Sequence, residues 1–263
     1  MRARPLSRIW AAMRVQRRSL AASFLTLSRV PLGGFPYQPE EYRAASRYFP
    51  LVGSVVGGAG ALAFQVSLPL GEVGAALISV AVMTLCTGGL HEDGLADTAD
   101  ALFGSFDRDK LFSILKDSRL GSFGVLTLVL VLGFRVTMIA SLDARAPTAL
   151  LLSATLTRVA PVWLMSFLPY VTPRTNAKSS VVAAAGPLEN AIATGLGVLV
   201  LGAGWRWGGI SVHELLCICL GLPGLSLFLA WRFRVRAGGW TGDFLGATQQ
   251  CAECLVLAAL SWP

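Results

Sequence analysis

The residues best able to do chemistry are three aspartates, Asp93, Asp97 and Asp100, in the run His91-Glu92-Asp93-Gly94-Leu95-Ala96-Asp97-Thr98-Ala99-Asp100. At i, i+4 and i+7 a helix stacks all three along one side. Carboxylates so placed repel one another unless a cation sits among them. A hard divalent ion with oxygen ligands, Mg2+, answers that need. The plainer alternative is a solvated acidic helix start, where the dipole favours negative charge. It accounts for Glu92 and Asp93 but not for Asp100, which lies deeper in the helix between Ala99 and Ala101. Glu92 falls on another face, and a peripheral role is expected of it. His91 adjoins the cluster and has the chemistry of an acid, a base or a supporting donor.

Further polar residues surround this run in sequence. Asp117-Ser118-Arg119-Leu120-Gly121-Ser122 opens an apolar stretch. Arg119 carries a fork that matches a phosphate, and the glycines with Ser122 offer backbone N–H groups to an anion at a helix start. The other reading of Arg119 is interfacial snorkelling. Gly242-Asp243-Phe244-Leu245-Gly246-Ala247 precedes Gln250 and Glu253, and a helix puts Asp243, Gly246, Ala247 and Gln250 on one face. That face reads as the wall of a site, although Asp243 also suits a helix cap. Arg158, in the middle of an apolar stretch, needs a partner such as an aspartate or a substrate phosphate.

The elements that must hold these residues are membrane helices. Hydrophobic residues make up 54% of the chain and charged ones 14%, where a soluble domain carries about 25% charged. In lipid the backbone must satisfy its own hydrogen bonds, and the 28 glycines suit closely packed helices. Apolar runs of about the length a span requires fall at 51–70, 73–90, 123–142, 147–170, 189–207, 212–231 and 244–262. The expectation is an all-α, polytopic bundle of about seven transmembrane helices, forming one membrane-embedded domain over residues 1–263. Residues 1–50 form a basic arm, in which Leu20–Leu27, too short to span and followed by Arg29 and Pro31, lies in the interface rather than acting as a cleavable signal.

Basic residues set the orientation. With the N-terminus in the cytoplasm, the arm and the loops 91–122, 171–188 and 232–243 hold 18 of the 22 Lys and Arg residues, and the opposite side holds only Arg145 and Arg206. Seven of the 15 acidic residues fall between Glu92 and Asp117. The net charge of +7 thus follows the spans and gives no reason to expect nucleic acid. The five cysteines lie in apolar stretches, and Cys251 and Cys254 lack the second pair or His that would complete a zinc site.

Together these residues resemble the cobalamin synthase family, adenosylcobinamide-GDP ribazoletransferase. The resemblance runs from Phe24-Leu25-Thr26 and Phe49-Pro50-Leu51-Val52-Gly53 through Gly88–Asp100 to Asp117–Gly121 and Gly242–Ala247, and so covers nearly the whole chain. Departures are Ala101, where family members commonly have Gly, the long basic arm, and Thr172–Val181. The resemblance implies transfer of α-ribazole or its 5′-phosphate onto adenosylcobinamide-GDP, with release of GMP, at a multi-pass inner-membrane site facing the cytoplasm. It implies Mg2+ on Asp93, Asp97 and Asp100, catalysis by those residues with His91, and substrate contacts at Asp117, Ser118, Arg119, Arg158 and Asp243. Lipid and the two substrates are the implied partners, and homo-oligomers or complexes with other corrinoid-pathway enzymes are compatible with it. The Asp-Gly-x-x-Ala pattern also looks like that of the CDP-alcohol phosphotransferases. From another class, an ion-coupled transporter would place its acids at mid-bilayer on broken helices, and a structural scaffold would leave the aspartates without a task.

Overall fold

The computed structural model describes residues 5–30, 32–172 and 185–262. Arg2, Arg4, Pro31, Pro173, Arg174 and Lys178, used above, lie outside them, as does most of Thr172–Val181. The helices are α1 (Pro5–Leu27), α2 (Pro39–Ala45), α3 (Phe49–Ser67), α4 (Glu72–Thr87), α5 (Leu90–Gly104), α6 (Arg108–Ile114), α7 (Ser122–Ala140), α8 (Ala146–Leu156), α9 (Val159–Phe167), α10 (Pro187–Trp207), α11 (Val212–Ala237) and α12 (Gly242–Ser261). Among the described residues six helical stretches are long and apolar enough to cross a membrane, and α4 with α5 makes a seventh if the bent pair counts as one. The chain is thus an all-α, multi-pass membrane protein, as its composition requires. The long basic helix α1 is not among the candidate spans.

Helix ends follow local chemistry. Pro50 sits in the first turn of α3, where its missing N–H costs nothing. A capping box of Ser211 and Glu214 starts α11. That helix continues through Arg232, Arg234 and Arg236 to Ala237 and stops at Gly238, whereas the apolar run ends at 231. Charge ends the apolar signal, but a helix ends only where a breaker such as glycine allows it. Between α8 and α9 the ladder breaks at Thr157–Arg158, because Pro161 lacks an N–H and its ring crowds the carbonyl four residues back.

The run 73–90, expected as one straight span, ends early. Gly88 and Gly89 both adopt positive φ, 68° and 72°, which only glycine adopts readily. Gly88 N–H donates to Leu85 O at 3.1 Å and Gly89 N–H to Thr84 O at 2.9 Å. The chain then leaves α4 at 90° into α5. The N-terminal arm closes on this corner, with Arg29 N–H donating to Cys86 O at 2.7 Å.

In the bundle α8–α9 and α12 are central, 78% and 61% buried against 22–33% for the other single spans. Cores of Val52, Val56, Met83, Ile139, Leu150 and Val256, and of Phe49, Leu164, Phe233 and Phe244, fill it. The connectors assigned to one side do meet at one end. Trp240 N–H donates to Pro169 O at 2.9 Å and Val171 N–H to Trp240 O at 3.1 Å, Arg236 donates to Ser105 O, and Arg47 in the arm pairs with Glu189 at 2.7 Å.

The closest helix contact is α3 on α8. A Cβ on Gly53 would sit 2.2 Å from the Ala154 carbonyl oxygen, a backbone atom, while one on Gly58 of the same helix meets nothing within 4 Å. Gly53→Ala should therefore lower the unfolding free energy in detergent by about 1–3 kcal/mol. Gly58→Ala should leave it unchanged or raise it slightly. Equal unfolding midpoints for the two variants would contradict this packing.

Candidate active site

Along α5 the three aspartates do share one face, and burial deepens along it. Asp93 is exposed, Asp97 half-buried and Asp100 buried. What holds this face toward α12 is a contact between glycines. A Cβ on Gly94 would meet the Asp243 backbone at 2.9 Å, and Gly246 lies against the backbone of His91 and Gly94. Asp243, in the first turn of α12, is thereby brought to the aspartate face. Asp97 lies within electrostatic reach of Asp93, Asp243 and Asp100, and Asp243 within reach of Asp93. The Asp243–Gly246 face therefore lies against the helix that carries the aspartates.

Asp100 has another task. Its two oxygens accept the backbone N–H groups of Gly121 at 2.7 Å and Gly124 at 2.9 Å, so it caps the start of α7 from a neighbouring helix. The glycine amides expected to meet a substrate anion meet a carboxylate of the chain itself. There is no room for larger residues, since a Cβ on Gly121 would fall 2.3 Å from Asp100 Oδ1.

Asp93, Asp97 and Asp243 differ from the acids that pair with arginine in lying within reach of one another. Glu41, Glu189, Asp117, Glu92, Glu253 and Glu214 each pair with an arginine, whereas among the described residues these three have no cationic partner. They are oxygen donors of the hard kind that Mg2+ takes. Among the described residues no three His, Cys, Asp or Glu groups converge closely enough to cage an ion by themselves. Mg2+ is commonly held by one or two carboxylates and completed by water and substrate phosphate, and an open set of this kind fits that mode rather than an all-protein cage.

Arg119 is largely exposed, and its fork is engaged by Asp117, with Nη2 to Oδ2 at 2.6 Å and Nε to Oδ1 at 3.0 Å. These bonds, with the Arg119 backbone N–H, hold the Asp117 carboxyl down to about 2. Asp117 and Arg119 line a surface groove of about 470 Å³ together with Asp100, Gly121, Ser122 and Phe123. Ser118 is exposed beside it.

His91 and Arg158 turn away from the aspartates. His91 is buried within reach of Arg158 and Arg135. Among the described residues Arg158 pairs with no aspartate. Its Nη1 donates to Ala154 O at 2.6 Å, and Glu253, Glu92 and Arg135 are its charged neighbours.

The expectation of a peripheral Glu92 is overturned. Glu92 is 8% exposed and belongs to a buried lattice centred on Arg135. Arg135 Nη1 donates to Glu92 at 3.3 Å and to Gln250 at 3.0 Å, and Nη2 donates to Glu253 at 2.9 Å. Gln250 also donates to Glu92 at 3.1 Å, Thr84 to Glu92 at 3.2 Å, and Gln249 to Glu253 at 2.7 Å. The lattice ties α4, α5, α7 and α12 together. Arg135, lying within an apolar run, signals it, because an arginine inside a span must find carboxylates somewhere in the sequence.

Two outcomes follow. Glu92→Ala and Arg135→Met should each lower the unfolding free energy in SDS titration by about 3–5 kcal/mol, the scale of breaking a buried pair; a loss near zero would return Glu92 to the periphery. Asp100→Ala should cost about 1–3 kcal/mol by leaving two amides unpaired. Asp97→Asn should leave stability unchanged or raise it by relieving like-charge repulsion, and equal destabilisation by Asp100→Ala and Asp97→Asn would remove the distinction between them.

The family described as cobalamin-5-phosphate synthase matches residues 19–261. Among similar curated proteins, adenosylcobinamide-GDP ribazoletransferase of Leptothrix cholodnii is 39% identical over 250 residues, covering 92% of this chain and 93% of the relative. The protein of that name from Shewanella piezotolerans is 37% identical, covering 92% and 95%, and that from Vibrio cholerae 34%, covering 92% and 91%. No solved structure matches. With the match running from the arm through the aspartate helix to the last span, the chain belongs to the cobalamin-5-phosphate synthase family.

Proposed function

We propose that this protein transfers α-ribazole, free or as its 5′-phosphate, onto adenosylcobinamide-GDP, releasing GMP and giving adenosylcobalamin or its 5′-phosphate. Family membership and the names of its relatives support the substrates. The observation that carries the chemistry is the gathering of Asp93, Asp97 and Asp243 without a cationic partner at the end of the bundle.

In the reaction the ribazole-side hydroxyl attacks the phosphorus attached to cobinamide, the bond to the bridging oxygen of the diphosphate breaks, and GMP departs with that oxygen. Such a displacement needs charge neutralisation and alignment more than covalent help. Mg2+, held by Asp93 and Asp97 with Asp243 beside them, supplies that neutralisation when bound. A carboxylate of this set not engaged with the ion takes the hydroxyl proton. Arg119 exchanges Asp117 for a substrate phosphate, a swap its exposed fork permits. Asp100 keeps the start of α7 in register with the aspartate face.

The site is proposed to face the cytoplasm across an inner membrane, on the strength of the basic arm and connectors that share its end of the bundle.

One experiment tests reaction, ion and side together. Inverted membrane vesicles carrying the protein, given adenosylcobinamide-GDP and α-ribazole outside, should release GMP only with a divalent cation present, and right-side-out vesicles should not. Asp93→Asn and Asp97→Asn should fall by about 10² or more, the scale of losing a principal electrostatic stabiliser. Arg119→Lys should raise the KM for adenosylcobinamide-GDP. No GMP from either vesicle type would refute the reaction, turnover in chelator would refute the ion, and activity confined to right-side-out vesicles would refute the side.

A further inference from the structure

The turn between α5 and α6 exposes large apolar side chains where a purely aqueous loop would carry polar ones. Phe106 is 91% exposed and Phe103 is 63% exposed. Two contacts fix the level at which they sit. The Phe103 ring lies 5.8 Å from that of Phe123, in the first turn of the spanning helix α7. The Phe106 ring lies under the Arg236 guanidinium at 4.9 Å, and Arg236 is in the last turn of the spanning helix α11. Both phenylalanines are thus level with the ends of spans, where the bilayer boundary falls.

Phe103 also continues an existing surface. On α7 the residues Phe123, Leu126, Leu130 and Phe134 are all exposed and recur at helical spacing, forming a stripe that in a spanning helix faces acyl chains. Phe103 stands at the head of that stripe.

We infer that the α5–α6 turn is a membrane-interface anchor in which Phe103 and Phe106 insert among the bilayer lipids, extending the acyl-facing stripe of α7 onto the helix that carries the aspartates. Aromatic rings are favoured at this depth. The charges flanking the turn in sequence, Asp107, Arg108, Asp109 and Lys110, cancel, and the packed charge beside it, Arg236, is engaged by the Phe106 ring and the Ser105 carbonyl. The anchor is therefore apolar, so it needs no anionic headgroup and is insensitive to salt, unlike a polybasic segment. One end of α5 is then held by the corner at Gly88–Gly89 and the other by lipid.

The test is collision accessibility of spin labels on protein in nanodiscs, in a background with all five cysteines replaced. Labels are placed by Phe106→Cys, with Leu130→Cys as the lipid-facing reference and Asp109→Cys as the aqueous one. The Phe106→Cys label should favour oxygen over a water-soluble nickel chelate several-fold more than the Asp109→Cys label does. It should match Leu130→Cys in sense, and 0.5 M salt or purely zwitterionic lipid should not change it. Accessibility equal to that of Asp109→Cys would overturn the anchor. So would protection from both agents, which would mean protein covers the turn. Loss of the lipid signal in salt would overturn its apolar character. Should the cysteine-free background not fold, Phe106→Trp in the native background answers the same question. Fluorescence beyond that of the parent should be quenched by brominated lipid, and an unquenched increment would overturn the proposal.

Discussion

Ionised carboxylates resist hydrocarbon, at about 2.5–3.5 kcal/mol each at mid-span on insertion scales. A helical membrane protein that presents aspartates must turn them toward the bundle interior or toward water. Here two successive glycines turn the chain 90° after α4, and α5 packs against α7 and α12 from the buried Glu92 to Asp100 at the start of α7. The position of Asp243 opposite α5 and the capping of α7 by Asp100 depend on that turn.

Charges left inside the bundle are treated in the opposite way. Arg135 is 1% exposed and bonds carboxylates or amides on α5 and α12. Glu92 and Asp93 are neighbours in the chain, yet one enters this lattice and the other meets water. Successive helical residues point about 100° apart, so anchoring Glu92 sets the rotation of α5 and with it the direction of the aspartate face. The desolvation that buried pairs pay offsets much of their attraction, while their geometry fixes which way α5 faces.

Much of this was legible in the residues. The spans were, because twenty apolar residues are a length signal, and so was the single face of Asp93, Asp97 and Asp100, which needs only helical periodicity. The same periodicity puts Asp243, Gly246 and Gln250 on one face of α12, the face that packs on α5. The right angle was not, since Gly88-Gly89 sits inside a run apolar enough to be read straight through, and the positive φ values that bend it leave no mark on hydropathy. The partners of Arg135 lie 43 and 118 residues away, and periodicity relates residues only within a helix. The amide bonds of Asp100 are hidden for a like reason. Its partners are backbone amides 21 and 24 residues on, and a carboxylate that binds amides looks in sequence like one that binds a metal.

The crossing of α5 and α12 rests on Gly94 and Gly246, where backbone meets backbone. A joint padded by side chains can give as rotamers hop, but this one has no padding to compress. The gap between Asp93 and Asp243 is therefore machined by covalent geometry, with a tolerance finer than any leucine contact would set. A side chain larger than hydrogen at either glycine would therefore change that gap directly, with nothing between the two backbones to absorb it.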